Sequence, residues 1–105
     1  NDSQMEVFNF ILQEEKYSKN ELIMNSLGDI VSNIKDDDDK RLVTDLLKND
    51  NLTTNKEIIS HINDLLQCVH KNENFKYLAQ NFIYNYQTMN TKALFNIINT
   101  FEQNK

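Results

Sequence analysis

The chain has no proline and one glycine, Gly28, in 105 residues. Without proline no backbone donor is removed and no ring clashes with a preceding turn, so little in the sequence interrupts a helix. Ser or Thr followed three residues later by Glu, at Ser3/Glu6, Ser18/Glu21 and Thr54/Glu57, has the spacing of a helix-opening capping box. The expectation is an all-α domain, a bundle of about six or seven short helices joined by short loops.

Cysteine is almost as scarce. Cys68 is the only one, which excludes an intrachain disulfide and favours a reducing, intracellular setting, cytosolic or nuclear. Its neighbours Leu65, Leu66 and Val69 place it in the core rather than in the accessible, electropositive setting of a reactive thiol. Apolar runs are short, and none approaches the roughly 20 residues a bilayer span needs. Positive charge is the minority sign: the net charge is −5. Nucleic-acid affinity comes largely from Lys and Arg neutralising phosphates, so this balance argues against a nucleic-acid partner and leaves a protein or disordered peptide as the expected one. Oligomeric state is not legible. The chain opens Asn1-Asp2-Ser3 without an initiator Met or a signal-peptide core, and a domain excised from a longer polypeptide is expected.

Six Phe and four Tyr, with many Leu and Ile, supply a core for one domain of this length. Along the chain, residues 3–17 carry Met5, Phe8 and Leu12 on one helical stripe with Ile11 beside it, opposite Gln4, Gln13 and Glu14. Residues 18–35 read as a second helix with Leu22, Ile23, Leu27, Ile30, Val31 and Ile34 inward and Gly28 permitting a close helix approach. The acidic run Asp36 to Asp39 interrupts the apolar pattern as a solvated connection, and a short helix from about Lys40 to Lys48 follows. A turn at Asn49-Asp50-Asn51 leads past Leu52 to residues 54–70, which read equally as one long helix or as two broken near His61 and Ile62. Asn72-Glu73-Asn74 opens a helix with Phe75, Leu78, Phe82 and Tyr86 inward, and Thr91 caps a last one carrying Leu94, Ile97, Ile98 and Phe101.

No chemistry-bearing constellation emerges, and the expectation is a protein that is not an enzyme and has neither cofactor nor metal. Asp36 to Asp39 lacks the glycine turn and distal glutamate of a calcium loop, and negative charge just before a helix is explained by the helix dipole. With Lys40 the run also spells a short protease-recognition string. His61 and His70 are nine residues apart, about 180° round a continuous helix at 100° per residue, so they cannot share a metal there. Phe75, Tyr77, Phe82, Tyr84 and Tyr86 form an aromatic segment, but only Lys76 interleaves it, too little cationic charge for a base-stacking surface.

From Lys40 onward the order of elements is more specific. A helix Arg41-Leu42-Val43-Thr44-Asp45-Leu46-Leu47 is followed by Asn51-Leu52-Thr53-Thr54 leading into Glu57-Ile58-Ile59, then Ile62 to Asn72, then Tyr77-Leu78-Ala79-Gln80-Asn81-Phe82-Ile83-Tyr84-Asn85-Tyr86. This resembles the N-terminal domain of transcription elongation factor TFIIS and the related integrase-binding domains, over roughly residues 20–89. It departs from that pattern where His61-Ile62 stands for a glycine and Tyr84 or Tyr86 for a tryptophan. The resemblance implies a right-handed helical bundle that captures short disordered peptides, usually acidic segments bearing a Phe or similar anchor, in transcription and chromatin assemblies, docking them at two neighbouring loops. Carried onto this chain, those loops are the one holding Asp37, Asp38 and Asp39 and the one from Lys71 to Phe75, with a partly buried Phe75 lining an apolar slot and Lys71 meeting a partner carboxylate.

Two other readings fit the same composition. A spacing of 35 to 37 residues relates Ser18, Thr54 and Thr91, as in an α-solenoid fragment of helical hairpins serving as a scaffold or an organellar RNA-binding segment. A small acidic helical inhibitor or immunity-type protein acting on a basic partner is the other.

Overall fold

The computed structural model describes residues 2–49, 56, 62–84, 92, 93, 96 and 100, with the backbone alone at 82–84. Among these residues there is no strand, and seven helices follow one another: α1 Asp2–Gln13, α2 Glu15–Ser18, α3 Glu21–Asn25, α4 Leu27–Ser32, α5 Asp37–Lys48, α6 Ile62–Lys71 and α7 Glu73–Tyr84. The all-α bundle expected from the sequence is what forms. The caps at Thr54 and Thr91, the anchor Leu52, His61, Tyr86 and the last helix around Leu94 to Phe101 lie outside the described residues.

Helix α1 packs on α5, α2 and α4, while α5 also packs on α7, and α6 lies against α7 and α4. The core between them is built from Val7, Ile11, Tyr17, Ile23, Ile30, Ile34, Leu42, Val43, Leu46, Leu47, Ile62, Leu65, Leu66, Cys68, Val69, Phe75 and Ala79. In α5 and α6 the buried positions recur at helical spacing, Leu42, Val43, Leu46 and Leu47 in one and Ile62, Leu65, Leu66 and Val69 in the other. The radius of gyration, 12.9 Å, is what a close-packed chain of this length has, about 13 Å. Cys68 is buried, as its neighbours imply.

Helix α1 turns a different face to the core from the one its sequence favours. Ser3, Val7 and Ile11 are buried, while Met5, Phe8 and Leu12 are 59%, 37% and 42% exposed. Both stripes carry apolar residues, and they lie about 130° apart at 100° per residue. Polar tethers separate them: the Ser3 hydroxyl donates to Asp37 Oδ1 at 2.6 Å, and the Gln4 amide donates to the Ile34 carbonyl at 3.0 Å. Glu6 adds an ion pair with Lys40. Gln4, expected on the outer face, is thus half-buried and bonded.

The second expected helix is two, α3 and α4, meeting at Ser26, whose backbone leaves the helical region at φ −110°, ψ 5°. The cap is Asn20 rather than Ser18: its Oδ1 accepts from Leu22 N–H at 2.9 Å and Ile23 N–H at 3.2 Å, whereas Ser18 ends α2. Nor does Gly28 mark a close approach. A Cβ built there meets nothing within 4 Å, and no glycine has a positive φ. Gly28→Ala is therefore expected to raise stability by roughly 0.4–1 kcal/mol, by reducing the freedom of the unfolded chain. Chemical denaturation checks this, and a loss would mean that α4 is crowded at that position.

Among the described side chains of α7 the inward residues are Phe75 and Ala79, while Leu78, expected inward, is 43% exposed, and the side chain of Phe82 lies outside those described. A four-residue step from Phe75 places Ala79, not Leu78, on the same buried face of the helix.

Candidate functional site

The acidic run is part of a helix. Asp36 is the N-cap of α5, its carboxylate accepting from the Asp39 N–H at 2.9 Å, and Asp37 to Asp39 form the first turn. Acids in this position meet the exposed amides and positive end of the helix, which is why the run extends α5 rather than interrupting it. Each then finds a partner on a different element. Asp37 accepts from Ser3 in α1, and Asp38 pairs with Lys76 in α7. Asp39 is 2% exposed, and its Oδ2 accepts from the Lys35 N–H at 2.8 Å and lies 2.6 Å from His70 Nε2 at the end of α6. The side-chain hydrogen bond to Asp38 raises the Lys76 ammonium pKa above its ordinary 10.5, against a smaller desolvation effect that lowers it. Lys40 is raised in the same way by Glu6.

The structure therefore brings the start of α5 together with the α6–α7 corner, the two segments in which Asp37, Asp38, Asp39, Lys71 and Phe75 were singled out. Asp37, Asp38 and Lys71 are exposed, whereas Asp39 is buried. Phe75 was expected to be partly buried, and its exposure is 0%. Its N–H donates to Asn72 Oδ1 at 3.2 Å, so the cap of α7 turns the ring inward from the first helical turn. A ring with no exposed surface offers a partner nothing to grip. No group of three or more His, Cys, Asp or Glu able to hold a metal occurs among the described residues.

A groove the sequence did not reveal runs between α5 and α7. It encloses about 710 Å³ and is lined by Arg41, Leu42, Asp45, Lys48 and Asn49 on one side and Gln80 and Asn81 on the other. Such a volume falls in the range of small ligand-binding clefts, about 300–1,000 Å³. Arg41, Asp45 and Lys48 recur at i, i+4 and i+7, one exposed stripe of α5 next to the buried Leu42. That spacing was visible in the sequence, but which side of α5 would border α7 was not. Lys48 Nζ lies 5.8 Å from the centre of the Phe10 ring, itself 5.1 Å from the Tyr17 ring and tilted 37° to it. Among the described residues no carboxylate forms an ion pair with Arg41 or Lys48, although the chain is acidic overall. A further surface feature is the exposed stripe Met5, Phe8 and Leu12 on α1.

Comparison of the chain with protein-family models, with curated proteins and with solved structures finds no match. Among the described residues no helix is long and apolar enough to cross a membrane.

Proposed function

We propose that this domain is a non-enzymatic protein-interaction module that takes a short disordered peptide in the groove between α5 and α7. The observation that carries this reading is the groove itself: a cleft of about 710 Å³ lined by one apolar residue, Leu42, and by charged and amide side chains. In peptide recognition apolar contacts give affinity and polar groups fix register. A setting in transcription or chromatin assemblies, and hence the nucleus, belongs to the same proposal and rests on the order of elements from Lys40 to Tyr86 alone.

Panning a random peptide display library on the full chain tests the reading, with Gln80→Trp as a variant that fills the groove. Peptides enriched on the native chain are expected to lose binding to the variant, whose helical circular dichroism should be unchanged. Finding no peptide that distinguishes the two would sink the proposal.

One observation favours a second reading, a scaffold built of stacked helices. A helix that buries Ser3, Val7 and Ile11 and also presents Met5, Phe8 and Leu12 has a second apolar face, as helices between neighbouring repeats do.

A further inference from the structure

We infer that the outer face of α1 docks a basic amphipathic helix of another protein, at a site separate from the groove between α5 and α7. Met5, Phe8 and Leu12 fall at i, i+3 and i+7 and are all exposed. Single exposed apolar residues are ordinary, but three aligned over two turns make a stripe about 10.5 Å long. Helix α1 already buries Val7 and Ile11 in the core, so the stripe is a second apolar face rather than a loosely packed first one. Its direction is fixed. Ser3 is bonded to Asp37 and Gln4 to the Ile34 carbonyl, and rolling the stripe inward would break both bonds.

The spacing selects a helix as the occupant. Anchors at i, i+3 and i+7 are met by the same pattern on a second helix, whose ridges enter the gaps between them. An extended strand would find no main-chain edge to pair with, because the amides within α1 are bonded along the helix.

Charge selects the sign of that helix. Residues 2–15 contain Asp2, Glu6, Glu14 and Glu15 and no Lys or Arg. Asp2 lies one turn before Met5 on the same side, and Glu14 follows the last residue of α1. Both are exposed, and among the described residues neither forms an ion pair. On the neighbouring α2 and α5, Lys19 and Lys40 are paired with Glu15 and Glu6, while Lys16 and Lys48 lie over the Tyr17 and Phe10 rings. Phe10 stands on the opposite side of α1 from the stripe, five residues on from Met5. An apolar stripe with an acid at each end is complemented by apolar anchors flanked by Lys or Arg. A second copy of the chain would bring acid against acid with −5 on each molecule, and an anionic membrane surface repels the same acids.

Fluorescence anisotropy on the full chain tests this with labelled helical peptides of about sixteen residues on an alanine background. One has leucines at i, i+3 and i+7 and lysines at both ends. A second keeps that composition but places the leucines at alternate positions, and a third has glutamates for lysines. The first is expected to bind best, more weakly as salt rises, and to lose roughly tenfold or more on Phe8→Ser or Met5→Gln. Asp2→Lys with Glu14→Lys should turn the preference towards the glutamate peptide, a gain that a misfolded chain cannot give. The inference is overturned if the first peptide does not bind, if the alternated one binds as well, or if the charge-reversed variant keeps the native preference. It is also overturned if sedimentation shows a dimer, or if phosphatidylserine vesicles bind the chain, and Met5→Gln abolishes either, because a second copy or a lipid surface is then the occupant. Gln80→Trp separates the two sites. Loss of the lysine peptide on that variant would place it in the groove, so that this inference fails while the groove reading stands. A lysine peptide that depends on Met5 and Phe8, with no library peptide sensitive to Gln80→Trp, would sink the groove reading alone.

Discussion

Phe75→Ala is expected to remove about 3–5 kcal/mol of stability, the cost of truncating a fully buried aromatic ring and leaving a cavity in a close-packed interior. The ring has 0% exposure and belongs to the core cluster with Leu42, Leu46 and Leu66, at the first turn of α7. Domains of this size are stable by only about 5–15 kcal/mol, so the variant should sit near the edge of folding at room temperature. Urea denaturation of the full chain is the measurement, with Tyr77→Ala as the control. Tyr77 is two residues on and 63% exposed, and its loss should fall within about 0.5 kcal/mol. A cost for Phe75→Ala below about 1.5 kcal/mol would mean that the ring is not part of the core.

Asp39→Ala should also be damaging, by about 2–3 kcal/mol. The estimate comes from hydrogen bonds to a charged group, each worth about 1.5–3 kcal/mol, partly offset because the freed donors regain water. Asp39 is the only acid of its run that is buried, and it joins the α4–α5 connection at Lys35 to the end of α6 at His70. Asp39→Asn keeps an acceptor for the Lys35 amide and should lose less than the alanine variant. Asp38→Ala, by contrast, removes an exposed partner of Lys76, and solvent screening should leave a smaller mark. If Asp38→Ala were the more harmful of the two, the assignment of Asp39 as the clamp would be wrong.

Fold class was legible because it depends on what summed propensity and the absence of breakers decide. The inward faces of α5 and α6 were also legible, since each carries a single apolar stripe, but the start of α5 at Asp37 and that of α6 at Ile62 were not. Helix α1 was not, because it carries two: Met5, Phe8 and Leu12 outweigh Ser3, Val7 and Ile11 in hydrophobicity, yet the latter face inward. The deciding contacts, Ser3 with Asp37 and Gln4 with the Ile34 carbonyl, join residues about thirty positions apart and leave no periodic trace. Gly28 misled for a related reason, as a glycine in a helix reads the same whether a neighbour crowds it or none does. At the candidate site, the meeting of the α5 start with the α6–α7 corner was implied only by the family resemblance, not by the periodicity of either segment. The inward turn of Phe75 and the groove beside Arg41 and Lys48 depended on how α7 is rotated against α5, which the capping side chain of Asn72 and the burial of Ala79 decide.

The placement of Asp36 to Asp39 within the first turn of α5 also has a kinetic meaning. Four acids followed by Lys40 form a string that a protease of matching specificity cuts after the lysine when the chain is extended across its active site. In the folded domain that peptide bond is helical, and its flanking residues are bonded to α1, α6 and α7. Cleavage at Lys40 therefore waits on the detachment of α5 from three neighbours, and when reclosing is fast its rate follows the equilibrium population of the opened form. The chain thus carries its own reporter of unfolding: the pace at which it is cut at one internal bond counts the molecules that have come apart.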